Sequence, residues 1–120
     1  MTTESVSSPT DTNLSATARD FSVNDRVVII TGAGQGIGRE LARQFAAAGA
    51  KTVIADLSLQ NAESVAAEIN SSGGNALAVA VDVSKKESAD MMVAATLKAF
   101  GRVDILVNNA SLFSNLVKRP

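Results

Sequence analysis

The chain has 120 residues, of which 46% are hydrophobic and 19% are charged, and its formal net charge is −1. This size and composition are typical of one small globular domain, and the charge offers no electrostatic footprint for nucleic acid or for an anionic membrane. Because the chain contains no Cys and no His, disulfides, thiol catalysis and His-activated nucleophiles are excluded, and we expect no bound metal.

Residues 1–21 are polar, rich in Ser and Thr, and carry Glu4 and Asp11 rather than the basic residues that open a signal peptide. Such a stretch cannot bury enough apolar surface to offset its ordering entropy, so we predict a disordered tail, with partner binding as the alternative. No apolar run approaches the roughly 20 residues that span a bilayer. We therefore expect a cytoplasmic protein without membrane contacts.

Strands and helices alternate from residue 22 onward. Apolar, β-branched runs predict strands over 27–31, 51–56, 76–81 and 103–108. Helical spacing predicts a first helix over 39–49, a second that Ser58 caps and residues 71–74 end, and a third that begins with a Ser84 and Glu87 capping box and ends at Gly101. We expect a loop over 110–120.

Each predicted helix has one apolar stripe that would pack on the sheet. The stripes comprise Ile37, Leu41, Phe45 and Ala48 in the first helix, Ala62, Val65, Ala66 and Ile69 in the second, and Met92, Ala95 and Ala99 in the third.

The order βαβαβαβ predicts right-handed crossovers and a parallel sheet of strand order 3-2-1-4, with helices on both faces. This is a Rossmann-type, doubly wound α/β fold. A domain of this kind normally has a second half beyond the fourth strand, and without it that strand would be an exposed apolar edge. We therefore predict that residues 22–120 form an incomplete Rossmann domain, truncated after the fourth strand.

A glycine-rich segment, Thr31-Gly32-Ala33-Gly34-Gln35-Gly36-Ile37-Gly38, connects the first predicted strand to the first predicted helix. There, Gly32 permits a tight turn, Gly36 lets a pyrophosphate approach the backbone, and Gly38 allows close helix–strand contact. The helix N-terminus would then face the phosphates. A Walker-type loop needs Lys and then Ser or Thr after its last Gly, whereas Arg39 and Glu40 follow Gly38, so a P-loop hydrolase is disfavoured.

Asp56 ends the second predicted strand, 18 residues after Gly38. An acidic residue about 20 residues beyond the glycines accepts hydrogen bonds from the adenosine ribose. Its charge would repel the additional phosphate of NADP, and neither Leu57 nor Gln35 supplies a cation for that phosphate. The position thus predicts NAD, with NADP less favoured, and a solvated Asp that ends a strand is the alternative.

Asp82 and Val83 follow the third predicted strand. The Asp82 carboxylate could accept a hydrogen bond from the adenine amino group, and Val83 could offer backbone contacts beside it. An Asx-type turn before Ser84 explains Asp82 equally well on local grounds.

The glycine segment, Asp56, Asp82-Val83 and Asn108-Asn109-Ala110 together resemble the short-chain dehydrogenase/reductase family, over about residues 22–115. The resemblance implies an oxidoreductase that binds NAD(P) and forms a homo-oligomer at full length. It also implies that Asn108-Asn109-Ala110 stabilises the central sheet and lines the nicotinamide side. The cofactor-binding residues would be Gly32, Gln35, Gly36, Ile37, Gly38, Asp56, Leu57, Asp82, Val83, Asn109 and Ala110. The family usually continues with Gly where Ser111 stands, which could alter that turn.

The family's catalytic Ser and Tyr-x-x-x-Lys pair lie downstream of Asn-Asn-Ala, and no catalytic residue can be assigned here. The chain contains no Tyr, Lys118 therefore lacks a Tyr partner, and Ser111 and Ser114 follow the fourth strand too closely. Because hydride transfer to a carbonyl needs an acid to protonate the alkoxide, we expect the 120-residue chain to be inactive.

The resemblance thus implies the cofactor-binding half of an NAD-dependent short-chain dehydrogenase/reductase. At full length it would transfer hydride between NAD and a small alcohol or ketone, as a 3-oxoacyl reductase does, once a C-terminal half is present. A non-catalytic dinucleotide-binding or interaction module is the alternative.

Overall fold

A computed structural model of the chain describes residues 22–110. The predicted tail over 1–21 lies outside the described residues, as do Ser111, Ser114 and Lys118 and most of the predicted loop. The elements are β1 (Val27–Thr31), α1 (Gly36–Ala47), β2 (Lys51–Asp56), α2 (Leu59–Ser71), β3 (Asn75–Ala80), α3 (Lys86–Phe100) and β4 (Ile105–Asn108).

The four strands form one parallel sheet in the order β3-β2-β1-β4, which confirms the predicted topology. Thr31 at the end of β1 is in register with Ala55 on β2 and with Asn108 on β4. The carboxyl ends of these strands therefore meet at one edge of the sheet, where ligands bind in open α/β folds.

Helices cover both faces of the sheet, because the central strands are apolar on both sides. Val28, Ile30 and Ile54 pack with α1 and α2 on one face, whereas Val27, Ile29 and Val53 pack toward α3 on the other. All five residues of β1 are buried. The predicted doubly wound arrangement is therefore present.

The second helix forms as predicted. Ser58 is its N-cap, and its hydroxyl oxygen accepts a hydrogen bond from the backbone N–H of Asn61 at 3.1 Å. Its four buried residues are the predicted ones, Ala62, Val65, Ala66 and Ile69.

The predicted apolar stripe of the first helix is wrong at its ends. The helix begins at Gly36, three residues earlier than predicted, and its fully buried residues are Gly38 and Ala42. Ile37 is 73% exposed, and Ala48 is exposed as well. The helix packs closely on the glycine segment, so small residues occupy its inner face and the large Ile37 side chain projects from its first turn.

The predicted capping box of the third helix is also wrong. The N-cap is Lys85, which makes no side-chain cap bond, because the Ser84 side chain instead donates to the Asp82 carboxylate at 2.6 Å. The buried residues of α3 are Met92 and Thr96, while the predicted Ala99 is exposed. The Thr96 hydroxyl is tolerated there because it donates to the Met92 carbonyl oxygen at 2.9 Å.

The fourth strand is shorter than predicted and lies at the edge of the sheet. Within residues 22–110 it pairs with β1 alone, and its burial alternates between half-buried and exposed. Leu106 is 57% exposed. Among the described helices, none is both long and apolar enough to cross a bilayer.

Candidate functional site

The glycine segment lies at the carboxyl edge of the sheet, between the ends of the two neighbouring strands. The backbone N–H of Ala33 donates to the Ala55 carbonyl oxygen at 3.1 Å, which continues the β1–β2 pairing into the turn. The sequence-predicted Asp56 follows Ala55 directly, and Asn109 and Ala110 follow β4 on the other side. Residues far apart in sequence are thus brought together around the turn.

The backbone of the turn requires glycine at two positions. Gly32 has φ 68° and Gly36 has φ 61°, in the left-handed region that residues with a side chain rarely adopt. A Cβ on Gly36 would meet no atom within 4 Å, so the space beside it is open. The backbone at Gly36 is therefore accessible to a ligand, as the spacing predicts.

Gly38 serves packing rather than conformation. A Cβ on this residue would stand 2.1 Å from the Gly32 carbonyl oxygen, a separation that no side chain can occupy. The absence of a side chain therefore lets the first turn of α1 rest directly on the glycine segment. The N-terminus of α1 therefore lies at the carboxyl edge of the sheet.

The N-terminus of α1 has neither a side-chain cap nor a nearby acidic side chain in its first turn. Its N-cap residue, Gln35, makes no side-chain cap bond, and its first turn contains no acidic residue. The free backbone N–H groups and the positive end of the helix dipole therefore remain available for an anion.

Asp56 is held by two backbone donors. Its Oδ2 accepts from the Gly34 N–H at 2.9 Å, and its Oδ1 accepts from the Ser58 N–H at 3.0 Å. An ionised carboxylate can accept about four hydrogen bonds, so each oxygen keeps capacity for a ligand. Leu57, next in sequence, is 74% exposed and presents an apolar side chain beside this carboxylate.

Thr31 and Asn109 join the glycine segment to the end of β4. The Thr31 hydroxyl lies 3.2 Å from Asn108 Oδ1 and accepts from the Ala110 N–H at 3.1 Å. Asn109 Nδ2 donates to the Gly32 carbonyl oxygen at 3.3 Å. The two predicted residues Asn109 and Ala110 are thereby fixed against the turn.

The end of β3 reaches the same edge. The Val81 N–H donates to the Asp56 carbonyl oxygen at 2.9 Å, which places Asp82 next along this edge. Asp82 Oδ1 accepts from the backbone N–H of Ser84 at 3.0 Å and from its hydroxyl. This is the Asx-type turn that stood as the alternative. The Val83 side chain is half-buried and packs against the core cluster that contains Met92 of α3.

Sequence reasoning assigned no role to two residues of the site. Thr31 is buried and joins β1 to β4, and Gly34 binds Asp56. A polar residue at the end of a fully apolar strand was the signal available for Thr31. Nothing in the local pattern distinguished Gly34 from a simple spacer.

A sequence profile described as short chain dehydrogenase matches residues 26–119. The chain belongs to the short-chain dehydrogenase/reductase family. Its match therefore covers the strands, the helices and the whole edge that carries the candidate site.

Two curated relatives of the family are each 47% identical to this chain over the matched residues. One is the short chain dehydrogenase/reductase astE of Aspergillus oryzae, matched over 77% of this chain and 36% of the relative. L-rhamnose 1-dehydrogenase (NAD(P)(+)) of Azotobacter vinelandii is matched over 73% of this chain and 36% of the relative. The chain thus spans about a third of the length of these relatives.

A solved structure shares the fold. The hydroxysteroid dehydrogenase from Escherichia coli superposes with a TM-score of 0.73 at 37% sequence identity, over 76% of this chain and 39% of that chain. Members of the short-chain dehydrogenase/reductase family are oxidoreductases that act on CH–OH groups with a dinucleotide cofactor.

Proposed function

We propose that this chain binds NAD at the carboxyl edge of its sheet, as the cofactor-binding half of an NAD-dependent short-chain dehydrogenase/reductase. The observation that carries the proposal is the Asp56 carboxylate, held by two backbone N–H groups beside the glycine segment. A carboxylate in this position can accept both adenosine ribose hydroxyls. The full-length protein would transfer hydride between NAD and a small alcohol or ketone, as a cytoplasmic homo-oligomer.

The phosphates would bind at the N-terminus of α1. The open space at Gly36, together with the uncapped first turn of the helix, supports a pyrophosphate there. The exposed Ile37 side chain would shield one side of the cofactor from water.

The two ends of the cofactor would extend in opposite directions from this point. The adenosine would lie toward Asp56, Leu57 and the turn at Asp82-Val83, and the nicotinamide toward Asn109 and Ala110. The hydrogen bond from Asn109 to Gly32 supports this direction, because it fixes the β4 end against the phosphate turn.

NAD is favoured over NADP by charge. A ribose phosphate beside Asp56 would place two negative groups together without a neutralising cation. Arg39 on α1 is already paired with Glu68, whose carboxylate accepts hydrogen bonds from Nε and Nη2 of Arg39. Relatives use either cofactor by name: a glycerol dehydrogenase of Listeria innocua is NAD-dependent, and the rhamnose dehydrogenase carries the label NAD(P)(+).

The nicotinamide cofactor would accept hydride from an alcohol when oxidised, or donate it to a ketone when reduced, and the residues of this chain would bind and orient the cofactor. Protonation of the developing alkoxide requires an acid, and the chain contains no Tyr for that role. We therefore expect the 120-residue chain to bind NAD without catalysing turnover. Alcohol oxidation by the purified chain would contradict this expectation.

Calorimetric titration of the purified chain with NAD and with NADP tests the binding proposal. We expect tighter binding of NAD, and we expect the Asp56→Asn variant to lose most of this preference because the repelling charge is gone. Equal or tighter binding of NADP by the parent chain would overturn the role of Asp56.

A non-catalytic dinucleotide-binding module remains the second candidate, favoured by the absence of Tyr. The coding sequence beyond Pro120 separates the two. A continuation with Ser and Tyr-x-x-x-Lys supports the dehydrogenase, whereas a continuation without them supports the binding module.

A further inference from the structure

We propose that Gly34 is a positioning residue for Asp56. Its backbone N–H and its missing side chain together hold the carboxylate where it distinguishes a ribose hydroxyl from a ribose phosphate. This inference rests on the proposed function, since it concerns how the same site selects NAD.

The first observation is the hydrogen bonding of the carboxylate. Gly34 lies on the glycine segment and Ser58 precedes α2, and each donates a backbone N–H to a different Asp56 oxygen, at 2.9 and 3.0 Å. Because the two donors belong to different elements, they fix the carboxylate in both position and rotation. Hydrogen bonds to an ionised acceptor are among the stronger ones in proteins.

The second observation is the lack of room at Gly34. A Cβ on this residue would stand 2.7 Å from Asn61 Cβ and 2.8 Å from Asp56 Oδ2. Gly34 is not among the residues with positive φ, so a left-handed backbone is not what requires glycine here. Space, rather than conformation, therefore requires glycine here.

Of the two neighbours, only Asp56 can move its contacting atoms by turning its side chain. Asn61 lies in the first turn of α2, and its backbone is fixed by the hydrogen bond from its N–H to the Ser58 hydroxyl oxygen. Asn61 Cβ therefore cannot move without the helix. An alanine at position 34 would therefore shift the glycine segment away from Asn61 and also displace the Asp56 carboxylate, so the hydrogen bond from the backbone N–H of residue 34 to Asp56 would break.

A displaced carboxylate would affect the two cofactors unequally. Charge repulsion declines gradually with distance, whereas a hydrogen bond fails once the acceptor is misplaced. We expect Gly34→Ala to weaken NAD binding about tenfold more than NADP binding, so the preference for NAD falls about tenfold.

The test is a double-mutant cycle in the 120-residue chain. Dissociation constants for NAD and NADP are measured by calorimetry for the parent, Gly34→Ala, Asp56→Asn and the double variant. If Gly34 acts through Asp56, the double variant has the same NAD-to-NADP ratio as Asp56→Asn alone. A purely structural role would lower both affinities alike and leave the ratio of the parent.

Gly73→Ala is the matched control for lost stability. Gly73 has φ 93° and open space around its Cβ position, at the far end of α2 from Ser58. An alanine there is strained and destabilises the fold, yet we expect the cofactor ratio of the parent. Circular dichroism verifies that each variant is folded.

If Gly34→Ala does not fold, Asp56→Glu decides the question. It keeps the negative charge but lengthens the side chain, so the carboxylate cannot accept from both N–H groups in the same place. A reduced NAD-to-NADP ratio supports the inference.

An unchanged ratio, within about twofold, in Gly34→Ala or, where that variant does not fold, in Asp56→Glu overturns the inference while the proposed function stands. If the parent binds neither dinucleotide, the proposed function itself fails, and the inference fails with it.

Discussion

At the scale of single residues, the candidate site depends on glycines, which have no side chain. Gly32, Gly34 and Gly38 each face a neighbour that a Cβ would strike, whereas Gly36 faces open space. The same residue type therefore has two uses within eight positions: three glycines admit protein neighbours, and one leaves open space beside the backbone. The spacing predicted an open backbone at Gly36 and close packing at Gly38, whereas the contacts of Gly34 are evident only in the three-dimensional structure.

Gly38→Ala should destabilise the fold, although alanine is normally the better helix residue. Its Cβ would meet the Gly32 carbonyl oxygen at 2.1 Å, so α1 must move away from the glycine segment. We expect a loss of about 1–3 kcal/mol in the free energy of unfolding, as for other overpacked sites, together with loss of NAD binding. Urea denaturation measures the first effect and calorimetry the second.

The control for this substitution is Gln44→Ala, on the exposed face of the same helix. It should change stability by no more than about 0.5 kcal/mol, as surface substitutions usually do. Equal stability of Gly38→Ala and the parent would contradict the contact.

At the scale of elements, the pairing of β1 with β4 is supported at both ends. At the carboxyl end, Thr31 and Asn109 make the hydrogen bonds described above. At the opposite end, Asp104 Oδ2 accepts from the Val27 N–H at 2.8 Å, and its Oδ1 accepts from Arg102 Nη2 at 2.7 Å. The hydrogen bonds from Arg102 and then from the Val27 N–H lower the pKa of the Asp104 carboxyl below its ordinary value of 3.8.

This lowered pKa predicts an acid dependence of stability. A carboxyl whose pKa is lower in the folded state stabilises the fold above its unfolded pKa, and this stabilisation is lost as the pH falls through the folded value. Asp104→Asn should therefore be less stable than the parent at neutral pH, and its stability should decline less steeply below about pH 4.

Urea denaturation from pH 7 to pH 2.5 compares the two proteins. Asp90→Asn is the control, because Asp90 is exposed on α3 and pairs with Lys86 one turn away, and such surface pairs contribute little. Parallel pH profiles for the parent and Asp104→Asn would refute the proposed role of Asp104.

An element could be predicted from the sequence where its pattern is local, and the prediction failed where contacts with other elements decide. The strands followed from β-branched runs, and α2 followed from its Ser58 cap and its apolar spacing, because these are local patterns. The Ser84 cap failed because the Asp82 carboxylate competes for the same hydroxyl. The predicted apolar stripe of α1 was wrong at its ends because closeness to the glycine segment, rather than hydrophobicity, decides which helix residues are buried.

At the scale of the whole molecule, residues 22–110 form a sheet in which the outer strand β4 is apolar and partly uncovered. Leu106 lies beside Ile29 on the α3 side of the sheet, yet it is 57% exposed because α3 packs over β2 and β3 instead. Edge strands with exposed apolar residues promote association between chains.

We therefore expect the 120-residue chain to self-associate with rising concentration, and Leu106→Lys to reduce this association. A lysine on an edge strand opposes pairing because its charge would be buried in the interface. Analytical ultracentrifugation over a concentration series measures the effect.

Met91→Lys is the control, since Met91 is 71% exposed on α3 and lies away from the strand edge. It should reduce association less than Leu106→Lys does. A parent chain that stays monomeric at every concentration, or an equal effect of both lysines, would show that the β4 edge is not responsible.

The sequence by itself determined the strand order, the faces of α2 and the approach of Asp56 to the glycine segment, because periodicity, caps and strand ends are properties of neighbouring residues. The tertiary structure decided how Thr31 and Asn109 join residues about 77 positions apart and that Gly34 holds Asp56. These contacts arise only when parallel strands align their carboxyl ends, so no local pattern could contain them.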